Sequence, residues 1–209
     1  MSAGAFFSEL AKDRTAETVA KIEAGTSAEI VVAVRNSSGH YRHSNYLFGF
    51  LCALGLLCAL LFLPQPFSID TWPLEMTLAF VIGAAFCGSV DPLRRLMTAR
   101  KLMDGHVLQA ARAQFYDLGV SATRDRTGIL VYVSLFERRA EVVGDLGVAP
   151  AYEKASWTEA VEAMNLSIAD GPDLDRFMKA LAMLKAPLAK ALPPREDDIN
   201  ELPDAMVTA

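Results

Sequence analysis

Apolar residues follow different rhythms in different parts of this chain. In the flanking segments they recur at helix or strand spacing among charged residues, whereas between Tyr46 and Val90 they run almost unbroken. The run Tyr46–Leu63, YLFGFLCALGLLCALLFL, has no charge; at ~1.5 Å per helical residue it spans about 27 Å, close to the hydrocarbon thickness of a bilayer. The run Trp72–Val90 carries one carboxylate, Glu75, within a turn of its start, where the helix dipole and interfacial water both tolerate an acid. Pro64, Pro66 and Pro73 punctuate the connection, and Asp91-Pro92 predicts the end of the second helix, since the residue before proline is pushed out of the αR region. A transmembrane helical hairpin over 45–91 is expected. Soluble core helices would keep a polar stripe, which the first run lacks, and a signal peptide would begin far earlier.

The flanks predict a single α/β domain. Phe6, Leu10, Val19 and Ile22 mark an amphipathic helix stopped by Gly25-Thr26, and Glu29–Arg35 is a β-branched run of strand length. After the hairpin, Leu93 to Phe115 predicts a helix whose face is traced by Leu96, Leu102, Met103, Val107, Ala110 and Ala111. Gly128–Leu135 is a nearly continuous apolar strand, Phe136–Arg139 its turn, and Ala140–Val143 an antiparallel return. Trp157, Val161, Met164 and Ile168 predict one helix. Leu174, Phe177, Met178, Leu181, Leu184 and Leu188 predict another, which Pro187 should kink or end. The segment 193–209, with Glu196, Asp197, Asp198, Glu201 and Asp204, reads as an acidic tail on which Ile199 and Leu202 could dock. The expected fold is a mixed β-sheet flanked by helices, built from 1–44 and 92–192 around the inserted hairpin.

Charge sets the orientation. Lys12, Arg14, Lys21, Arg35 and Arg42 precede the first run, no Lys or Arg lies between the runs, and Arg94, Arg95, Arg100, Lys101 and Arg112 follow the second. By the positive-inside rule the protein is a multi-pass protein of the cell (inner) membrane with both termini cytoplasmic. Tyr46, Phe67 and Trp72 stand where aromatic side chains meet headgroups, and Arg94, Arg95, Arg100 and Lys101 can lie against anionic lipid. The net charge of -5 argues against nucleic acid as a partner. Cys52, Cys58 and Cys87 all fall in the apolar runs and act as small hydrophobes. Gly49 and Ala53, Gly55 and Ala59, and Ala79, Gly83 and Cys87 place small residues one helical turn apart, for packing of the hairpin on itself or against another membrane subunit.

Candidate chemistry is confined to acids at strand ends. Asp125 precedes the strand at Gly128 and Asp145 follows its antiparallel partner, so the two share an edge and could hold a hard cation such as Ca²⁺ or Mg²⁺, with Asp170 or Asp173 as further ligands. The plainer alternative is that these are turn residues. Glu137 lies at the opposite edge. His40, His43 and His106 fit an interfacial loop and helix better than a metal site, and no Gly-rich phosphate loop or activated nucleophile is recognisable.

The segments AEIVVAVR, Arg124-Asp125 with Gly128-Ile129-Leu130, and TGILVYVSLFERRAEVVGDLGV with Glu137-Arg138 at its turn resemble the TPM domain family over about 100 residues. Members of that family include a lumenal acid phosphatase and repair or auxiliary factors of membrane complexes. Unlike those members, this chain carries its hairpin inside the domain, and the glycine-rich loop after the second strand is reduced to Gly144-Asp145-Leu146-Gly147. The resemblance implies a TPM-like α/β domain with a non-enzymatic scaffold or assembly role beside an integral membrane partner. The alternative it implies is a metal-assisted acid phosphatase using Asp125 and Asp145.

Overall fold

The computed structural model describes residues 3–62, 68–195, 201–202 and 205–208. Leu63, Pro64, Pro66, Phe67, Glu196, Asp197, Asp198, Ile199 and Asp204 therefore lie outside the described residues. In chain order the elements are α1 (Glu9–Glu23), β1 (Glu29–Arg35), α2 (Arg42–Phe62), α3 (Trp72–Ser89), α4 (Asp91–Leu96), α5 (Arg100–Asp117), β2 (Gly128–Ser134), β3 (Arg139–Gly144), α6 (Ala149–Tyr152), α7 (Ala155–Ala169), α8 (Leu174–Ala182), α9 (Lys185–Ala191) and β4 (Val207–Thr208). They fall into two compact units: Met1–Ser38 with Asp104–Ala209, and Gly39–Met103.

The first unit is built on a four-stranded mixed sheet in the order β3-β2-β1-β4. β1 runs parallel to β2 in the register Glu29↔Gly128 to Arg35↔Ser134, and β2 runs antiparallel to β3. The interiors of both central strands, Ile30 to Val34 and Ile129 to Val133, are apolar and buried because both faces of the sheet are covered. Ile30, Val32, Val34, Ile129, Val131 and Val133 join the larger core, which includes Val19, Ile22, Met164, Phe177 and Leu181 from α1, α7 and α8. Val31, Ala33, Leu130 and Tyr132 turn to the other face, in one cluster with Val107, Ala111 and Phe115 of α5.

Local chemistry sets the element ends. Ser8 caps α1, its hydroxyl accepting from the Ala11 amide at 3.2 Å. The buried stripe of α1 is Ala11, Thr15, Val19 and Ile22, while Leu10 points outward at 64% exposure. The helix predicted over 93–115 is interrupted at Met97–Ala99, leaving Leu96 80% exposed and off any buried face. Pro187 is accommodated in the first turn of α9, where its missing N–H costs nothing, and the break falls earlier, at Met183-Leu184. Likewise Pro92 opens α4, and the extended residue that ends α3 is Val90. The end of the predicted tail is structured: Val207 and Thr208 pair with Ala33 and Val34 as β4, and Met206 is buried in the core. At the opposite edge, the Asn165 side chain of α7 bonds both the amide and the carbonyl of Ala140, capping the exposed side of β3.

The second unit contains α2 and α3 packed as a hairpin. Both helices are long and apolar enough to cross a membrane, yet only 17% and 11% of their apolar windows are buried. Their mutual seam uses the small residues: a Cβ on Gly49 would stand 2.6 Å from the Phe80 carbonyl oxygen, and one on Gly83 would stand 2.8 Å from Cys52 Sγ. Cys87 is buried, but Cys58 is exposed and lies off the seam, as does Gly55, where an added Cβ would meet nothing within 4 Å. Ser44 and Thr98 share a buried 2.7 Å hydrogen bond near the hairpin base.

Candidate functional site

Two polar clusters stand at opposite ends of the sheet. At the end where β2 begins and β3 finishes, the chain segments before Gly128 and after Gly144 clasp each other. The Gly147 amide donates to the Arg126 carbonyl at 2.9 Å, and the Asp145 amide donates to the Gly128 carbonyl at 2.9 Å. A Cβ at position 147 would lie 2.7 Å from the carbonyl oxygens of Asp125 and Arg126, so only glycine fits there. Within this clasp Arg126 adopts a left-handed backbone, φ 59°, and its side chain reaches Asp145.

The pair is bidentate. Arg126 Nε donates to Asp145 Oδ2 at 2.7 Å and Nη2 donates to Oδ1 at 2.9 Å; the Leu146 amide adds a third bond to Oδ1 at 2.7 Å. Burial by itself pushes the Asp145 carboxyl upward, but the Arg126 bonds and the Leu146 amide outweigh it and hold the group below the ordinary carboxylate range. Asp125 is paired with Arg195.

Sequence reasoning brought Asp125 and Asp145 to one edge, and the structure places them there, on adjoining segments. Each is engaged by an arginine whose partnership has no local signature: Arg126 requires an unusual backbone conformation, and Arg195 is distant in sequence. Asp173 caps α8 by accepting from the Arg176 amide at 3.0 Å, and Asp170 is exposed at the end of α7. Among the described residues no three His, Cys, Asp or Glu side chains come together as a metal-binding group.

Beside the Asp145–Arg126 pair lies a cleft of about 350 Å³, lined by Arg112, Phe115, Tyr116, Arg126, Val143 and Leu146, with Gly144 and Asp145 at its wall. It carries two guanidinium groups and a single carboxylate, so it is not the acidic pocket a divalent cation would require.

At the other end, where β1 and β2 both finish, a second cluster forms around Glu137, which is fully buried in the β2–β3 turn. Its Oε1 accepts from the Ser38 amide at 2.9 Å and the Ser37 hydroxyl at 3.2 Å, and its Oε2 accepts from the Ser134 hydroxyl. Ser38 also donates to the Ser134 hydroxyl at 2.7 Å and shares a 2.9 Å bond with the Tyr132 hydroxyl. Burial pushes the Tyr132 phenol above its ordinary value, the Ser38 bond opposes that, and the charge of Glu137 adds to it. In parallel α/β sheets, ligands favour the carboxyl ends of the strands. Here that position is filled by Ser37 and Ser38, the residues that lead the chain out of the α/β unit toward α2. Glu137 was noted in the sequence only as a turn acid; its role as the anchor of this exit segment depends on contacts with Ser37 and Ser38 that sequence spacing does not reveal.

No family model matches the chain, and no curated protein matches it. Among solved structures it is similar to the NMR structure of the BA42 protein from the psychrophilic bacterium Bizionia argentinensis, with 16% identity and a TM-score of 0.56 over 95% of this chain and 92% of that one. At that identity the likeness is one of fold.

Proposed function

We propose that this chain is a multi-pass protein of the cell (inner) membrane whose α2–α3 hairpin crosses the bilayer, and whose TPM-like α/β domain acts in the cytoplasm as a scaffold or assembly factor for an integral membrane complex. The observation that carries this reading is the apolar surface of the hairpin. Phe50, Leu54, Leu61, Leu78, Ile82 and Phe86 are all more than 40% exposed, on helices long enough to span. A soluble protein would not leave that much contiguous apolar surface in water, whereas lipid satisfies it and the helical backbone meets its own hydrogen bonds. The Lys and Arg residues that flank the hairpin support a cytoplasmic location for both termini.

The α/β domain supports binding better than chemistry. A metal-assisted phosphatase built on Asp125 and Asp145 would need both carboxylates available to a cation, and each is held by an arginine. The scaffold reading is tested by purifying the tagged full chain in mild detergent: a stoichiometric integral membrane partner should be recovered with it, and repeated recovery of the chain alone counts against the reading. The rival is tested with a chromogenic phosphate ester and Ca²⁺ or Mg²⁺ from acid to neutral pH, where turnover abolished by Asp145→Ala would favour the enzyme.

A further inference from the structure

We infer that the cleft beside Asp145 binds the carboxylates of an acidic, partly apolar peptide segment of the partner protein, an inference that rests on the scaffold reading above. Of the five N–H donors of Arg126, two are committed to Asp145, and that bidentate hold fixes the plane of the guanidinium. The remaining three have no partner among the described residues. Arg112, exposed on α5, forms no ion pair or side-chain hydrogen bond among the described residues, and both arginines line the same cleft. The one acid in the wall, Asp145, is already neutralised. The cleft is thus locally positive in a chain of net charge -5, and it complements carboxylates while repelling a cation.

The lining also indicates what carries the carboxylate. Phe115 and Val143 contribute apolar surface, and Tyr116 and Leu146 are 70% and 78% exposed beside the arginines. Tyr116 is set edge-on against Phe115 at 5.5 Å. A small hydrated anion gains nothing from these apolar groups, whereas an acidic residue next to an aromatic or aliphatic one would use both kinds of contact. The volume of the cleft, about 350 Å³, suits one or two side chains.

The test uses the full chain in nanodiscs of zwitterionic phosphatidylcholine and titrates an acetylated hexapeptide, Glu-Asp-Phe-Leu-Glu-Asp, by calorimetry at low salt. Binding is expected, weakening as salt rises and absent for the peptide with Gln and Asn in place of its acids. Arg126→Gln should abolish it but also uncovers Asp145, so the decisive variant is Arg112→Gln, expected to weaken binding at least tenfold with an unchanged melting temperature. No binding by the wild type, or equal binding by Arg112→Gln, would overturn the inference. Inorganic phosphate competing as well as the peptide would also overturn it, by showing a generic anion hole. Peptide binding that fails while the integral partner is still recovered rejects the cleft and leaves the scaffold reading intact. Peptide binding without a recoverable partner rejects the scaffold reading and overturns the assignment of the peptide to a partner protein, leaving only the affinity of the cleft for acidic peptide.

Discussion

Arg126 grips Asp145 through two parallel hydrogen bonds of 2.7 and 2.9 Å, and the side chains differ in exposure, 55% for the arginine and 4% for the aspartate. The carboxylate is therefore a buried anchor and the guanidinium a displayed group. Asp145→Asn keeps the shape but loses the charge-assisted bonds; because Arg126 is half in solvent, a loss of about 1–3 kcal/mol is expected, measured as a lower denaturation midpoint of the purified full chain.

The same pair sets an acid limit. Asp145 is held below its ordinary value in the folded state, so between the folded value and an unfolded value of about 3.9 the unfolded chain binds more protons. The stability it contributes is fully present above about pH 4 and is lost as pH falls through the folded value. Melting temperature recorded against pH should drop steeply below about pH 4 in the wild type and less steeply in Asp145→Asn.

Both oxygens of Asp145 are occupied by Arg126, and Asp125 is engaged by Arg195. Millimolar Ca²⁺ or Mg²⁺ should therefore leave the melting temperature of the wild type unchanged, since a ligand stabilises only what it binds. A rise of several degrees that disappears in Asp145→Ala would restore a metal site at this edge.

Glu137 anchors Ser37, Ser38 and Ser134 from a fully buried position. Glu137→Ala leaves those donors unsatisfied and should cost about 2 kcal/mol or more. Hydrogen exchange at the Ser38 amide should accelerate with it, which a simple loss of packing elsewhere would not produce.

Within the hairpin, Gly49 and Gly55 make opposite predictions. A side chain at Gly49 collides with the Phe80 carbonyl, whereas one at Gly55 meets nothing. Gly49→Val should destabilise the hairpin by about 1–3 kcal/mol and lower the yield of folded protein in detergent. Gly55→Leu should leave stability unchanged; if it also removes the copurifying partner, the Gly55 and Ala59 face is the contact with another subunit.

Periodicity made much of this architecture legible. β1 runs over Glu29–Arg35 as its β-branched residues predict, β2 and β3 form the expected antiparallel pair, and Trp157, Met164, Phe177 and Leu181 are buried as their spacing requires. Misreadings fell where tertiary contacts outweigh local signals. Leu10 is exposed because Ala11 and Thr15 fit the tighter approach of α8 and its Met178. The acidic tail conceals Val207 and Thr208, whose strand character arises only when β1 offers them an edge. At the candidate site, the shared edge of Asp125 and Asp145 follows from strand direction alone, but their arginine partners do not: Arg126 needs a left-handed turn that its sequence does not advertise, and Arg195 comes from beyond the last helix.

Whether α2 and α3 lie in lipid is tested most directly by washing membranes from cells expressing the full chain with alkaline sodium carbonate. The expected result is that the protein stays entirely in the membrane pellet, as a pair of spanning helices must. Its release into the supernatant would contradict the membrane assignment and everything built upon it.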